Sequence, residues 1–218
     1  FENFLKLLIF NYVDCVVFPS KKISYKLKSK NLIIPNFVDI SEINKTQSIQ
    51  KKNFILGMGR LTKQKGFDLL IKSFVKIHKK IKHELIIIGE GQEKNNLIKL
   101  IMINKVYNRV RIINFTDKPY SYLKSCSLYV LSSRWEGMPN TLIQALVAKA
   151  NILSTNCMFG PKQILKNGKL GYLCKVEDVK DMSKKMLIAL KFKKKISYND
   201  FNKYDKTKII KKYKKLFN

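Results

Sequence analysis

Acidic residues are scarce: the 218-residue chain holds 15 Asp and Glu against 44 Lys and Arg, a formal net charge of +29. Arginine is scarce too, at Arg60, Arg109, Arg111 and Arg134, and tryptophan occurs once, as Trp135. Base edges and phosphate forks are read mostly by Arg, whose planar donors match them. A charge made of lysines spread along the whole chain, beside abundant Ile and Asn, looks like codon bias toward A and T and argues against nucleic acid as a partner. The same charge suits peripheral contact with an anionic membrane, which needs no sequence readout. The four cysteines (Cys15, Cys126, Cys157, Cys174) have no C-x-x-C spacing and read as reduced, mostly buried thiols of a cytoplasmic protein. His78 and His83 end a Lys-rich segment and read as solvated side chains rather than metal ligands. No long hydrophobic run is present either. The most apolar early stretch, residues 4–18, is broken by Lys6, Asn11 and Asp14 and cannot span a bilayer.

What is present, 45 % hydrophobic and 11 % aromatic residues, is enough core for one large α/β domain or one domain plus a piece of another. From residue 53 onward, short apolar runs alternate with helix-length amphipathic segments. Strands are predicted at 53–59, 84–91, 109–115, 127–133, 151–156 and 169–175. Helices are predicted at 66–80, 93–104, 119–126, 139–149, 160–167 and, capped by Asp178, to about Leu190. Near-continuous hydrophobic strands in that alternation predict a parallel, doubly wound, Rossmann-like sheet covered on both faces. Ligands of such sheets sit beyond the carboxyl ends of the strands, so those loops are where chemistry is sought. Residues 1–52 offer a helix, a strand, a second helix at 21–29 and another short strand, too little to fold alone. They read as the tail of a preceding domain plus a linker. Residues 193–218 read as a C-terminal amphipathic helix with Ile209, Ile210, Tyr213 and Leu216 on its apolar side.

The first of the loops is GMGRLTKQKG, residues 57–66. Thr62 stands where a dinucleotide fingerprint needs its third Gly, and Lys65-Gly66-Phe67 is not the Gly-Lys-Ser/Thr of a P-loop. What remains is Arg60 and Lys65 at the functional edge, two cations suited to a diphosphate, at roughly 1.5–3 kcal/mol per charge-assisted contact. In so lysine-rich a chain, Lys65 also reads as an ordinary solvated cation. An Asp-x-Asp clamp for a metal-bound diphosphate is absent from the sequence, so no metal and no cofactor is expected. The second loop, SSRWEGMPN, places one of the few acids at the start of a helix. Glu136 there reads either as a cap of that helix or as an acceptor for a ligand, with the helix amides and positive dipole end beside it. Trp135 reads as packing. FGPKQIL, residues 159–165, is a further helix start that reads equally as an ordinary turn.

Five stretches in order, GMGRLTKQKGFDLLIKSF, ELIIIGEG, RIINFTDKPYSYLKSCSLYVLSSRWEGMPNTLIQALVAK, FGPKQIL and NGKLGYLCKVEDV, resemble the C-terminal, donor-binding half of a family 4 glycosyltransferase. That family has the GT-B architecture of two facing Rossmann-like domains. The resemblance implies a nucleotide-sugar-binding domain over 53–192, preceded by the remnant of an acceptor domain over 1–52. It implies a retaining transfer from UDP-hexose or UDP-N-acetylhexosamine to a surface glycan or a lipid-linked acceptor, at the inner face of a membrane. Arg60, Lys65 and Glu136 are the implied catalytic residues. Gly59, Gly89, Phe115, Thr116, Gly137, Met138, Pro139, Asn140, Thr141 and Gln144 complete the implied substrate site, and 137–141 act through their backbone. Two positions depart from the family pattern: Asn114 replaces a Gly beside the nucleobase, and Gln144 replaces the Glu that faces the ribose. Gln144 leaves open a non-catalytic sugar-nucleotide-binding protein that needs a separate acceptor domain.

Overall fold

The computed structural model describes residues 12–20, 30–50 and 53–217. The helices expected before Cys15 and over 21–29 lie outside them. Strands β1 (Cys15–Phe18) and β2 (Lys30–Ile33) pair in parallel as a small sheet of their own, followed by helix α1 (Ile40–Lys45), which Asp39 caps.

Six parallel strands then form the main sheet: β3 (Phe54–Met58), β4 (Glu84–Ile88), β5 (Val110–Ile113), β6 (Leu128–Leu131), β7 (Ile152–Thr155) and β8 (Tyr172–Cys174). Their spatial order is β5-β4-β3-β6-β7-β8, so the chain builds outward from β3 in one direction and then returns to build outward from β6. The helices between them are α2 (Phe67–Val75), α3 (Lys94–Ile103), α4 (Pro119–Ser125), α5 (Asn140–Val147), α6 (Pro161–Ile164) and α7 (Val179–Lys191). Each expected strand and helix of this unit is present.

Period-2 geometry explains the layering. Along β3, Phe54, Leu56 and Met58 enter one core, while Ile55 enters the other. β4 splits the same way, with Ile86 and Ile88 on one face and Leu85 and Ile87 on the opposite face. The first core is closed by α1, α4, α5 and α6, and the second by α2, α3 and α7. Burying each large aliphatic side chain contributes about 1.5–3 kcal/mol, and both faces of every central strand do so. Gly57 has its own reason: a Cβ there would lie 2.8 Å from Leu70 Cδ2, so only Gly lets α2 pack this close to β3.

Two expected helices are shorter than the hydrophobic pattern predicts. α2 stops at Val75, where His78 Nδ1 lies 2.8 Å from the Val75 carbonyl and a separate 3-10 turn, His78–Lys80, follows. The C-terminal helix expected over 193–218 is divided into α8 (Tyr198–Phe201), a 3-10 turn and α9 (Lys206–Lys214). Asp205 makes the break: extended at φ −62 and ψ 131, it caps α9 through Thr207 and Lys208 and bridges to Val38. Tyr204 O accepts from Val38 N–H, and Val38 O from Lys206 N–H, so the C-terminus is tied to the segment before α1. His83 also differs from expectation, since burial lowers its pKa and its Nδ1 is buried with no partner among the described residues.

Candidate functional site

The order in which strands are added reverses between the parallel neighbours β3 and β6, and there the helices leave toward opposite faces, α2 into the second core and α5 into the first. Register pairs join β3 to β6 only at Ile55–Leu128 and Leu56–Tyr129, so the two strands part toward their carboxyl ends. That parting opens a crevice at the switch point, where open α/β sheets bind ligands.

A cavity of about 570 Å³ fills the crevice. Gly59, Arg60, Gly89, Phe115, Thr116, Thr141 and Gln144 line it, seven of the residues the sequence singled out. Lys65, Glu136 and the turn 137–140 are not among its lining residues. Arg60 is exposed, and its guanidinium has no partner among the described residues. Gly59 and Gly89 sit at φ +151 and +156, and a Cβ on Gly89 would lie 1.9 Å from Gly59 O. The loops after β3 and β4 therefore touch backbone to backbone, and no other residue fits at Gly89.

Glu136 lies beside the cavity, buried on the loop after β6. Its Oε1 accepts from Lys65 Nζ and from Ser133 Oγ, both at 2.6 Å. The side chains of Lys65 and Glu136 are only 15 % and 6 % exposed, so Lys65 is not a solvated cation. Glu136 does not cap α5 either: the N-cap is Pro139, with no side-chain bond. Glu136 Oε2 has no partner among the described residues and is free to accept from a ligand hydroxyl. The first two amides of α5, on Asn140 and Thr141, likewise have no acceptor among the described residues.

Met138 and Pro139 are buried, and Met138 belongs to the first core, so this pair can serve a ligand only through backbone. Gly160, at φ +87, packs on their turn; a Cβ there would lie 2.6 Å from Pro139 Cδ. The FGPKQIL segment thus supports the turn and is more than a connection. Asn36 holds it from the other side, donating from Nδ2 to Met138 O at 3.1 Å and to Asn140 Oδ1 at 2.7 Å.

Beside the cavity, Asn114 Oδ1 accepts from Lys94 Nζ at 2.7 Å, and Phe115 N–H reaches Glu90 Oε1 at 3.4 Å. Trp135 is 55 % exposed, against the expectation of packing; its carbonyl accepts from Gln64 Nε2. Burial pushes the thiols of Cys126 and Cys174 up to about 12 and that of Cys157 up to about 11, so none of them is a neutral-pH nucleophile. Among the described residues no three or more His, Cys, Asp or Glu gather as a metal site, and no helix is long and apolar enough to cross a membrane.

Arg134 escaped the reading of the sequence. Its guanidinium makes a fork with Asp68 at 2.9 Å on both arms, bonds Lys63 O at 2.7 Å and pairs with Glu177 at 2.8 Å. Arg134 N–H also donates to Gln64 O, and Ser132 Oγ to Lys65 O. The loop carrying Arg60 and Lys65 is thereby fastened to the loop carrying Glu136. Hydrogen bonding to Asp68 raises the Arg134 pKa further, and Arg134 in turn holds Asp68 below the usual carboxylate range against its burial. Scarcity was the available signal, since this is one of four arginines and it adjoins Trp135 and Glu136.

Among known proteins, residues 39–208 match the family described as Glycosyl transferases group 1. An uncharacterized glycosyltransferase of Methanocaldococcus jannaschii is 37 % identical over 150 residues, 64 % of this chain and 37 % of that protein. Poly(ribitol-phosphate) alpha-N-acetylglucosaminyltransferase of Staphylococcus aureus is 29 % identical over 195 residues, 85 % of this chain and 39 % of that protein. The solved structure of a mutant S. aureus TarM in complex with Fondaparinux, alpha-GlcNAc-glycerol and UDP superposes with a TM-score of 0.83 at 21 % identity, over 100 % of this chain and 46 % of that one. The chain thus spans less than half the length of these proteins. With a matched segment that runs from α1 into α9 and takes in the whole switch-point crevice, the chain belongs to the group 1 glycosyl transferases.

Proposed function

We propose that this chain is the donor-binding half of a retaining family 4 glycosyltransferase, taking its sugar from UDP-hexose or UDP-N-acetylhexosamine. The observation that carries the reading is a cavity of about 570 Å³ lined by the exposed Arg60 and by Thr141, with the first two amides of α5 beside it and neither these nor Arg60 partnered among the described residues. A diphosphate at the α5 N-terminus meets the positive end of the helix and Arg60 together. Lys65 adds charge from beside Glu136, and Glu136 Oε2 accepts from hydroxyls of the donor sugar. As the sugar–phosphate bond breaks, negative charge grows on the leaving diphosphate. The amides of α5, held by the helix, then stabilise it without reorganising, the kind of term that most often dominates catalysis, and Arg60 adds its charge. Charge neutralisation comes from the protein, with no metal.

Residues 1–52 are, on this reading, the tail of an acceptor domain and the linker from it. The separate β1–β2 sheet and the contact of Asn36 with the 138–140 turn support that division. A surface glycan or lipid-linked acceptor accords with the S. aureus relative, named for a poly(ribitol-phosphate). The charge of +29 accords with cytoplasmic work at an anionic membrane surface.

Titration of the chain with UDP, and separately with a random oligonucleotide, at moderate salt tests the reading. UDP is expected to bind, while oligonucleotide affinity collapses as salt rises. Salt-resistant oligonucleotide binding without UDP binding would refute it.

A further inference from the structure

Helix α3 carries apolar residues on both sides, a pattern that ordinarily means burial all round. Leu97 and Ile101, one turn apart, are buried in the second core. Ile98, Met102 and Ile103, with Tyr107 on the turn that follows, are instead between 42 % and 77 % exposed. Lys105 N–H closes that turn on Met102 O and Val106 N–H on Ile101 O, and the buried Val106 anchors it. Tyr107 is thereby held beside the end of the helix.

The surroundings of these four side chains carry charge of one sign. Residues 94–116 contain no Asp or Glu, and neither do residues 69–83. Lys99 and Lys105 are exposed among the apolar group itself. Lys79, Lys80 and Lys82 are exposed on the segment before β4. Arg109 fastens that segment to the connection between α3 and β5, donating to Ile81 O at 2.8 Å and His83 O at 2.7 Å. Glu84, which ends the acid-free run, is answered by Arg111 at 3.3 Å. None of the described residues before β3 enters the second core, so this face lies away from the stretches read above as acceptor-domain tail and linker.

A protein partner matches such a surface poorly, because lysine is depleted in protein–protein interfaces. A bilayer with acidic headgroups accepts both of its parts. Apolar side chains enter the headgroup boundary, while the lysines around them meet the negative surface. We propose that the outward side of α3 and the turn after it, Ile98, Met102, Ile103 and Tyr107 with Lys99 and Lys105, dock this chain on an anionic phospholipid surface. α3 begins beside the crevice, where Lys94 Nζ donates to Asn114 Oδ1, so the docked face adjoins the donor site. The inference rests on the membrane part of the reading above, which net charge alone supported, and not on the nucleotide.

The test is co-sedimentation of the 218-residue chain with vesicles of phosphatidylcholine mixed with phosphatidylglycerol, and with phosphatidylcholine alone. Three double variants separate this surface from charge at large. Met102→Ser with Ile103→Ser keeps every charge, and Lys99→Gln with Lys105→Gln keeps every apolar residue. Lys211→Gln with Lys212→Gln removes the same charge from α9. All six side chains are exposed, so the fold is retained; a thermal melt verifies it. The parent is expected to bind the mixed vesicles only. Each of the two α3 variants is expected to weaken that binding roughly tenfold, and the α9 variant less than about twofold. Equal losses from the two lysine pairs, or no loss from the apolar pair, overturn the proposal in favour of unspecific charge. Failure of the parent to bind mixed vesicles overturns it as well. Salt-resistant binding of a random oligonucleotide that the α3 variants abolish would make the surface a nucleic-acid site instead. UDP affinity of the same variants is expected to equal that of the parent, so the donor reading stands or falls separately.

Discussion

Glu136 and Lys65 show how a site residue can be readable in identity and unreadable in partnership. The sequence places both at strand ends, 71 residues apart, and nothing in it says that they share a bond. In the folded chain Lys65 Nζ and Ser133 Oγ meet on one oxygen of Glu136, and the other oxygen has no partner among the described residues. The pair is nearly dry, and removing one member of a buried pair strands the other charge. Lys65→Ala is expected to lower unfolding free energy by about 3 kcal/mol. Lys65→Ala combined with Glu136→Gln, which leaves no orphan charge, recovers part of that loss. Urea denaturation of the two single variants and the double variant measures it; strict additivity would show that the pair carries no coupling. Trp135 shows the converse limit. Composition makes a lone Trp look like core, yet this one, on the loop after β6, is 55 % exposed.

Elements were the most legible level. Runs such as LIII and LYVL have no polar face to turn to water, and so could only be central strands. Their ends and their long-range fastenings were not legible, because those depend on side chains meeting across the sheet. α9 begins where Asp205 bridges to Val38, a contact that no local pattern encodes. The joining of the β3 and β6 loops is of the same kind. Gly66, at φ +62, lets that loop approach until a Cβ would lie 2.2 Å from Ser132 O, and Arg134 then binds across. Arg134 does not line the crevice cavity, so any effect it has on a ligand there is through the loops. Arg134→Lys keeps the charge but cannot make the fork. It is expected to weaken UDP binding about tenfold and to speed amide exchange over residues 60–66, read by calorimetry and hydrogen-exchange mass spectrometry. Unchanged exchange with unchanged affinity would show that the two loops hold their places without it.

At the scale of the whole molecule, the segment around Val38 and α1 and the segment from Ile196 to Tyr204 pack into the first core, on one side of the sheet. Asn36 reaches the 138–140 turn, Ser20 Oγ reaches Gln163 Oε1 at 3.2 Å, and the C-terminal segment returns to Val38. The sequence divides these stretches from the central unit, and their contacts with it appear only in three dimensions. The crevice itself needs none of them for its cations: Arg60 comes from the β3 loop and projects free at the switch point. Central to the account is that this crevice binds a nucleotide diphosphate through protein charge. Arg60→Ala is the cleanest probe, since Arg60 has no partner to orphan among the described residues. The deciding measurement is calorimetric titration of UDP into the parent chain and Arg60→Ala, with a chelator present throughout. The account predicts binding by the parent and a loss of about 1.5–3 kcal/mol, more than tenfold, in the variant. Equal affinity in the two proteins, or binding that returns only when a divalent ion is supplied, would contradict it.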